Sequence, residues 1–180
     1  MVSFKINKFG QRIGTRDEGK IAQREIEAII NTMPYGETLI FDFEGVDLLA
    51  YSFADQAIAI TFHRLISNEY GDKYILIKCS KADILESLEV ALEKREITAL
   101  ALDDVGKWFC VGTKKANIIE TLKVINDKKE ISTSELAKIL NLSITNCNNR
   151  VSELARLKLI KREKVNNPEG GILYINKSVM

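Results

Sequence analysis

The stretch TSELAKILNLSITNCNNRVSELARLKLI, Thr133 to Ile160, decides how the rest of the chain is read. Leu136, Ala137 and Leu140 recur at the spacing of a helical stripe, and Ser132, Thr133 or Ser134 can cap its start, with Glu135 in the first turn. Asn141, Leu142 and Ser143 interrupt that pattern. A second stripe resumes at Cys147, Val151 and Leu154, so a second helix begins near Ile144. Between its buried positions stand Thr145, Asn146, Asn148, Asn149, Ser152 and Glu153. Each asparagine costs roughly half a kcal/mol of helix propensity relative to alanine, which a merely solvated face has no reason to incur. A helix in a major groove does have a reason: Asn can bond an adenine edge through two hydrogen bonds, and Thr can reach a base, a phosphate or a thymine methyl. An ordinary helical hairpin with a polar surface is the competing reading.

The flanking sequence favours the groove reading. Upstream, Ala116 to Asn126 carries Ile118, Ile119, Leu122 and Ile125 on one helical face. Downstream, Leu159 to Val165 reads as a strand, NNPEGG (Asn166 to Gly171) as a turn, and Ile172 to Ile175 as a returning strand. Residues 114 to 178 together resemble the winged helix-turn-helix of bacterial regulators, with Ser143 to Lys158 as recognition helix. The resemblance implies double-stranded DNA as partner, contacted by Ser143, Thr145, Asn146, Asn148 and Asn149 from the helix. Lys161, Arg162 and Lys164 would lie near phosphates, and Asn166 and Asn167 near the wing tip, where Glu169 is unfavourable. One winged helix covers a single half-site, so a homodimer is expected.

Charge divides the chain at the same place. Residues 1 to 112 hold 13 Lys and Arg against 18 Asp and Glu, a balance of −5, whereas residues 113 to 180 hold 13 against 7, a balance of +6. We therefore expect two domains, 1–112 and 113–180, with a short linker around Gly112 to Lys115. Only the second has the electrostatics for a phosphate backbone. The 180 residues are 46% apolar with no apolar run near twenty residues, which predicts a globular protein without a membrane span. No secretory leader is evident after Met1, so a cytoplasmic location is expected. Cys79, Cys110 and Cys147 are few and far apart, and His63 is the sole histidine, so neither a disulfide framework nor a zinc site is supported. No cofactor is implied.

The first domain alternates strand and helix patterns and is read as α/β with a mixed sheet. Val2 to Phe9, Glu37 to Phe43, Lys73 to Cys79, Ile97 to Leu102 and Lys107 to Val111 read as strands. Helices are expected over Thr15 to Met33, from near Ser52 to Gly71, and over Ala82 to Arg95. Gly10, Gly14 and Gly19 are too irregular for a phosphate-binding loop. Asp42, Glu44 and Asp47 form an acidic run with no nucleophile or histidine beside it, so a solvated strand end is the expected role rather than a metal site or catalytic pair. Ser52 followed by Asp55 has the spacing of a capping box.

Phe41 to Asp55 reads FDFEGVDLLAYSFAD: a strand ending in Asp42-Phe43-Glu44-Gly45-Val46, then Ser52-Phe53-Ala54-Asp55 opening a helix. This segment, with Thr15-Arg16-Asp17-Glu18-Gly19-Lys20 at the start of the first helix, resembles the STAS-like domain of unknown function found in bacterial regulatory proteins, over about 100 residues. The broader STAS group includes anti-sigma factor antagonists, which place a phosphorylatable Ser or Thr at this helix start and bind kinase-like or other proteins there. By that resemblance Ser52 is the nearest match. Ala50-Tyr51-Ser52-Phe53 replaces the usual Asp-Ser-Ser-Gly type of segment, so a strict alignment sets Tyr51 at the phosphosite. Tyr51, Ser52 and Asp55 are thus the expected docking or modification residues. The combined expectation is a non-enzymatic, sequence-specific transcriptional regulator whose first domain senses a signal or docks a protein. Two alternatives stand beside it: an adaptor of a kinase or anti-sigma type switch whose winged helix binds protein, and a first domain that senses a small ligand.

Overall fold

The computed structural model describes residues 1–166 and 170–180. The chain divides into two compact units, Met1–Lys114 and Lys115–Met180.

In the first unit the strands are β1 (Val2–Lys5), β2 (Arg12–Ile13), β3 (Thr38–Asp42), β4 (Leu48–Leu49), β5 (Tyr74–Lys78), β6 (Thr98–Leu102) and β7 (Trp108–Gly112). The main sheet runs β1-β3-β5-β6-β7, parallel through β6 with β7 added antiparallel. Helix α1 (Arg16–Thr32) connects β1 toward β3, and a helical stretch from Tyr51 to Ile66 connects β3 toward β5. Helix α4 (Ala82–Glu93) connects β5 to β6. Because the strands are added in sequence order and parallel crossovers are right-handed, all three connections fall on the same face. The core agrees: Leu39, Phe41, Ile75, Ile77, Ala99, Ala101 and Val111 are alternate strand residues of one face, clustered with Ala22, Ile26, Ile58, Phe62 and Leu88 from the helices.

The Tyr51–Ile66 stretch is not a plain helix. It comprises α2 (Tyr51–Phe53), a π-helical turn over Ala54–Ala59, and α3 (Ile60–Ile66). It is packed closely against α1 at Gly19, where an added Cβ would stand 2.8 Å from the Gln56 Cβ. Gly112 ends β7 at φ +86°, and a Cβ there would lie 2.2 Å from the Ile97 carbonyl oxygen, so only glycine fits.

Some expected boundaries shift. The alternation over Val2 to Phe9 is strand only to Lys5, and Ile6–Phe9 closes into a 3-10 turn that buries Ile6 completely. Ser52 is not a helix cap: the N-cap is Ala50, without a side-chain bond, and the Ser52 hydroxyl donates instead to the Gly14 carbonyl at 2.5 Å. Nor is Asp42 solvated. Its side chain is 6% exposed, pairs with Lys5 at 3.0 Å and Lys78 at 3.6 Å, and accepts the Glu44 amide at 3.0 Å. Burial alone would raise the Asp42 pKa, but the Glu44 amide and the two lysines outweigh it and hold the carboxyl below its ordinary value.

The second unit runs α5 (Ala116–Lys128), β8 (Glu130–Ser132), α6 (Thr133–Ile139), α7 (Ile144–Arg156), β9 (Ile160–Asn166) and β10 (Ile172–Ser178). Its sheet order is β8-β10-β9, antiparallel throughout. Ile118, Leu122 and Ile125 of α5, Leu136 and Ala137 of α6, and Cys147, Val151 and Leu154 of α7 are buried together with Ile131 and Leu159. Ser132 and Glu135 form a reciprocal capping box that starts α6. Strand β8 was not anticipated. Three residues between two helices are too short for a period-two signal, and their strand form comes from pairing with β10.

Candidate nucleic-acid interface

Helix α7 starts because Ser143, in extended conformation, accepts the Asn146 amide at 3.2 Å. Asn141 in the preceding turn takes φ +51°, a left-handed geometry that asparagine tolerates. The buried stripe Cys147, Val151 and Leu154 then fixes the rotation of the helix about its axis. The other three sides have separate duties.

Toward α5, Arg150 donates to the Glu120 carboxylate at 2.9 Å and the Asn117 carbonyl at 3.3 Å, and Glu153 pairs with Lys115 at 2.9 Å. Toward the β9–β10 hairpin, Asn148 and Ser152 accept from Arg162 at 2.5 and 2.8 Å. The outward side carries Thr145, Asn149, Ser152 and Arg156, successive positions of one helical row, all exposed. Among the described residues, Thr145, Asn149 and Arg156 make no side-chain hydrogen bond or ion pair. Asn146 is also exposed, on the flank toward Arg150.

The strand register separates the basic residues of the hairpin. Arg162 faces Asn176, Lys164 faces Tyr174 and Asn166 faces Ile172, so these share one face, while Lys161, opposite Lys177, lies on the other. The expected trio Lys161, Arg162 and Lys164 is therefore not one patch. Arg162 is half-buried, with its guanidinium 4.4 Å from the Tyr174 ring centre, and burial lowers its pKa from the ordinary arginine value. Lys164 and Asn166 are exposed. Asn167 lies outside the described residues. Reading the sequence missed Arg156, although its place seven residues after Asn149 on the same row was available from periodicity alone. It also missed Tyr174 as the platform for Arg162, which depends on strand pairing.

In the first unit, Tyr51 and Asp55 have cationic partners, whereas the Ser52 hydroxyl bonds to the Gly14 carbonyl. Asp55 is 7% exposed and pairs with Arg95 at 2.8 Å and Arg16 at 3.8 Å, and the Lys94 ammonium lies 4.1 Å from the Tyr51 ring centre. All three cysteines are buried and unbridged, and burial raises each thiol, that of Cys110 to about 11. Among the described residues, no group of His, Cys, Asp or Glu could hold a metal ion, and no helix is long and apolar enough to cross a membrane.

No curated protein matches the chain. Residues 116–161, from the start of α5 through α7 to the first residues of β9, match the winged helix-turn-helix DNA-binding family, and that match supports a DNA-binding regulator.

Proposed function

We propose that the chain is a sequence-specific, double-strand DNA-binding transcriptional regulator in which α7 reads the major groove and the β9–β10 hairpin contacts the backbone. The observation that carries this reading is the exposed row Thr145, Asn149, Ser152 and Arg156, polar along its whole length and free of apolar residues. Ser143 at the helix start, Asn146 on its flank and Asn148 beside the hairpin complete the helix's contact set. Lys164 and Asn166 supply the wing side. Binding of the full chain to duplex DNA at two salt concentrations tests it. Asn149→Ala is expected to cost roughly 1–3 kcal/mol of sequence discrimination, and Lys164→Ala to weaken all duplexes alike and lower the salt slope by about one. Duplex binding unchanged in both variants removes the reading. A DNA reader of this kind works as a homodimer on paired half-sites, in the cytoplasm of a bacterial cell, and sedimentation with and without DNA measures the stoichiometry.

The first unit, residues 1–112 in this reading, is the input domain, and the STAS-like resemblance makes the Tyr51–Asp55 segment its docking or modification point. The cationic partners of Tyr51 and Asp55 support this. A phosphoryl group on Ser52 adds about −1.5 to −2 charges, and the neighbouring Asp55 carboxylate is already held by Arg95 and Arg16. Modification also breaks the Ser52 bond to Gly14, which joins the start of α2 to the entry of α1. Ser52→Asp and Ser52→Ala are expected to differ in capture of a protein partner, and mass spectrometry of the chain from its host tests for phosphate on Ser52 or Tyr51.

A further inference from the structure

We infer that Arg162 is a positioning residue that turns the Asn148 side chain so that it offers only donors to the DNA, making Asn148 select against cytosine at one base position. The inference rests on the DNA-reading role proposed for α7. Three contacts define the arrangement. The Arg162 guanidinium donates to the Asn148 Oδ1 at 2.5 Å and to the Ser152 Oγ at 2.8 Å, and it lies against the Tyr174 ring at 4.4 Å. An arginine has no acceptor, so the Asn148 atom that faces it is the oxygen. The amide nitrogen is thereby directed away from Arg162, and among the described residues it bonds to nothing.

A freely turning asparagine offers one donor and one acceptor, the pair that matches the N6 and N7 edge of adenine. With its oxygen engaged by Arg162, Asn148 offers N–H alone. In the major groove that group finds acceptors on guanine (N7 and O6), on adenine (N7) and on thymine (O4), whereas cytosine presents the N4 donor and is refused. Asn149, one residue on and without a side-chain partner among the described residues, keeps both functions. Two adjacent asparagines on one helix thus have different chemistry, and the difference comes from a residue on the hairpin. The Arg162 side chain is costly to place: its Nε is buried without a partner among the described residues. The Tyr174 ring lies over the guanidinium and adds a cation–π contact to its two hydrogen bonds.

The test is selection of the full chain on a duplex library with a randomised central segment. The parent is expected to select a defined motif with cytosine depleted about fivefold or more at one position. Asn148→Asp keeps the bond to Arg162 but replaces the outward donor with an acceptor, so it is expected to reverse the preference there toward cytosine and leave the other positions alone. Arg162→Met frees the amide and is expected to flatten that position, and Arg162→Lys, which retains one donor, to restore the cytosine depletion in part. Circular dichroism confirms that each variant is folded. A parent that selects a motif unchanged by both Asn148→Asp and Arg162→Met overturns the inference and leaves the DNA-reading role standing. A parent that selects no motif overturns both.

Discussion

Helix α7 and the Tyr51–Ile66 stretch are two helices of similar length made in opposite ways. Helix α7 is organised locally: Ser143 caps it, one stripe is buried, and the remaining sides are polar. The Tyr51–Ile66 stretch starts at Ala50 with no side-chain cap and buries Phe53, Ala54, Asp55, Ala57, Ile58, Ala59, Thr61, Phe62 and Leu65, which occupy more than one stripe. Its middle turn widens to π geometry, a form common at functional sites and unusual elsewhere. The first helix can be read from its own residues and has side chains to spare for a ligand. The second takes its shape from what surrounds it.

Substitutions can break this contrast, the largest effects falling in the second helix. Phe53→Ala, at a fully buried ring, is expected to cost roughly 3–5 kcal/mol in urea unfolding. An effect near that of a surface change would mean that the stretch is not the packed centre of its unit. Gly19→Ala drives a Cβ against Gln56. Overpacking costs roughly 1–3 kcal/mol, and improved helix propensity returns about 1, so a net loss on the order of 1 kcal/mol is expected where an isolated helix would gain. Thermal melting of the variant decides the sign. Ser143→Ala removes the α7 cap for about 1 kcal/mol, read as a lower melting temperature. Asn149→Ala sharpens the contrast further, because its stability is expected to stay within about 0.5 kcal/mol of the parent while its DNA discrimination falls.

The smallest effect is in acid. Glu18 bonds to the Thr15 amide and hydroxyl, and Glu135 bonds to the Ser132 hydroxyl and amide, and both carboxyls are held below the ordinary 4.5. A depressed carboxyl contributes stability that is fully present above 4.5 and is lost as the pH falls through the lowered value. Glu18→Gln and Glu135→Gln are therefore expected to lower the neutral plateau of a stability-against-pH curve slightly, toward the acid value, and so to flatten its acid limb. A steeper acid limb in either variant would contradict the capping-box account.

What was legible follows the same division. The two helices of the helix-turn-helix and the returning hairpin are written in spacings of a few residues, and so are the alternating strands and helices of the first unit. The Ser52 to Gly14 bond and the two Asp42 ion pairs were not legible, because their partners lie 38, 37 and 36 residues away. Ser52 and Asp55 have the spacing of a cap, but a closer tertiary partner claimed each side chain. At the interface, residue types on α7 were readable, whereas the separate duties of Asn148 and Asn149 depend on Arg162. Lys161 and Arg162 were grouped by adjacency, although adjacent strand residues point to opposite faces.

The strictly sequential sheet order β1-β3-β5-β6-β7 also bears on synthesis. Each strand joins the edge left by the strand before it, and none has to be inserted between two already placed. A ribosome delivers about 5–20 residues per second, N-terminus first, so the sheet can be extended in the order in which it emerges. Until β7 arrives, every intermediate carries a raw parallel growing edge in addition to the β1 edge. The antiparallel hairpin that β6 and β7 form is then the step that ends growth, and a nascent chain halted before Trp108 would expose β6 as a template for unwanted pairing.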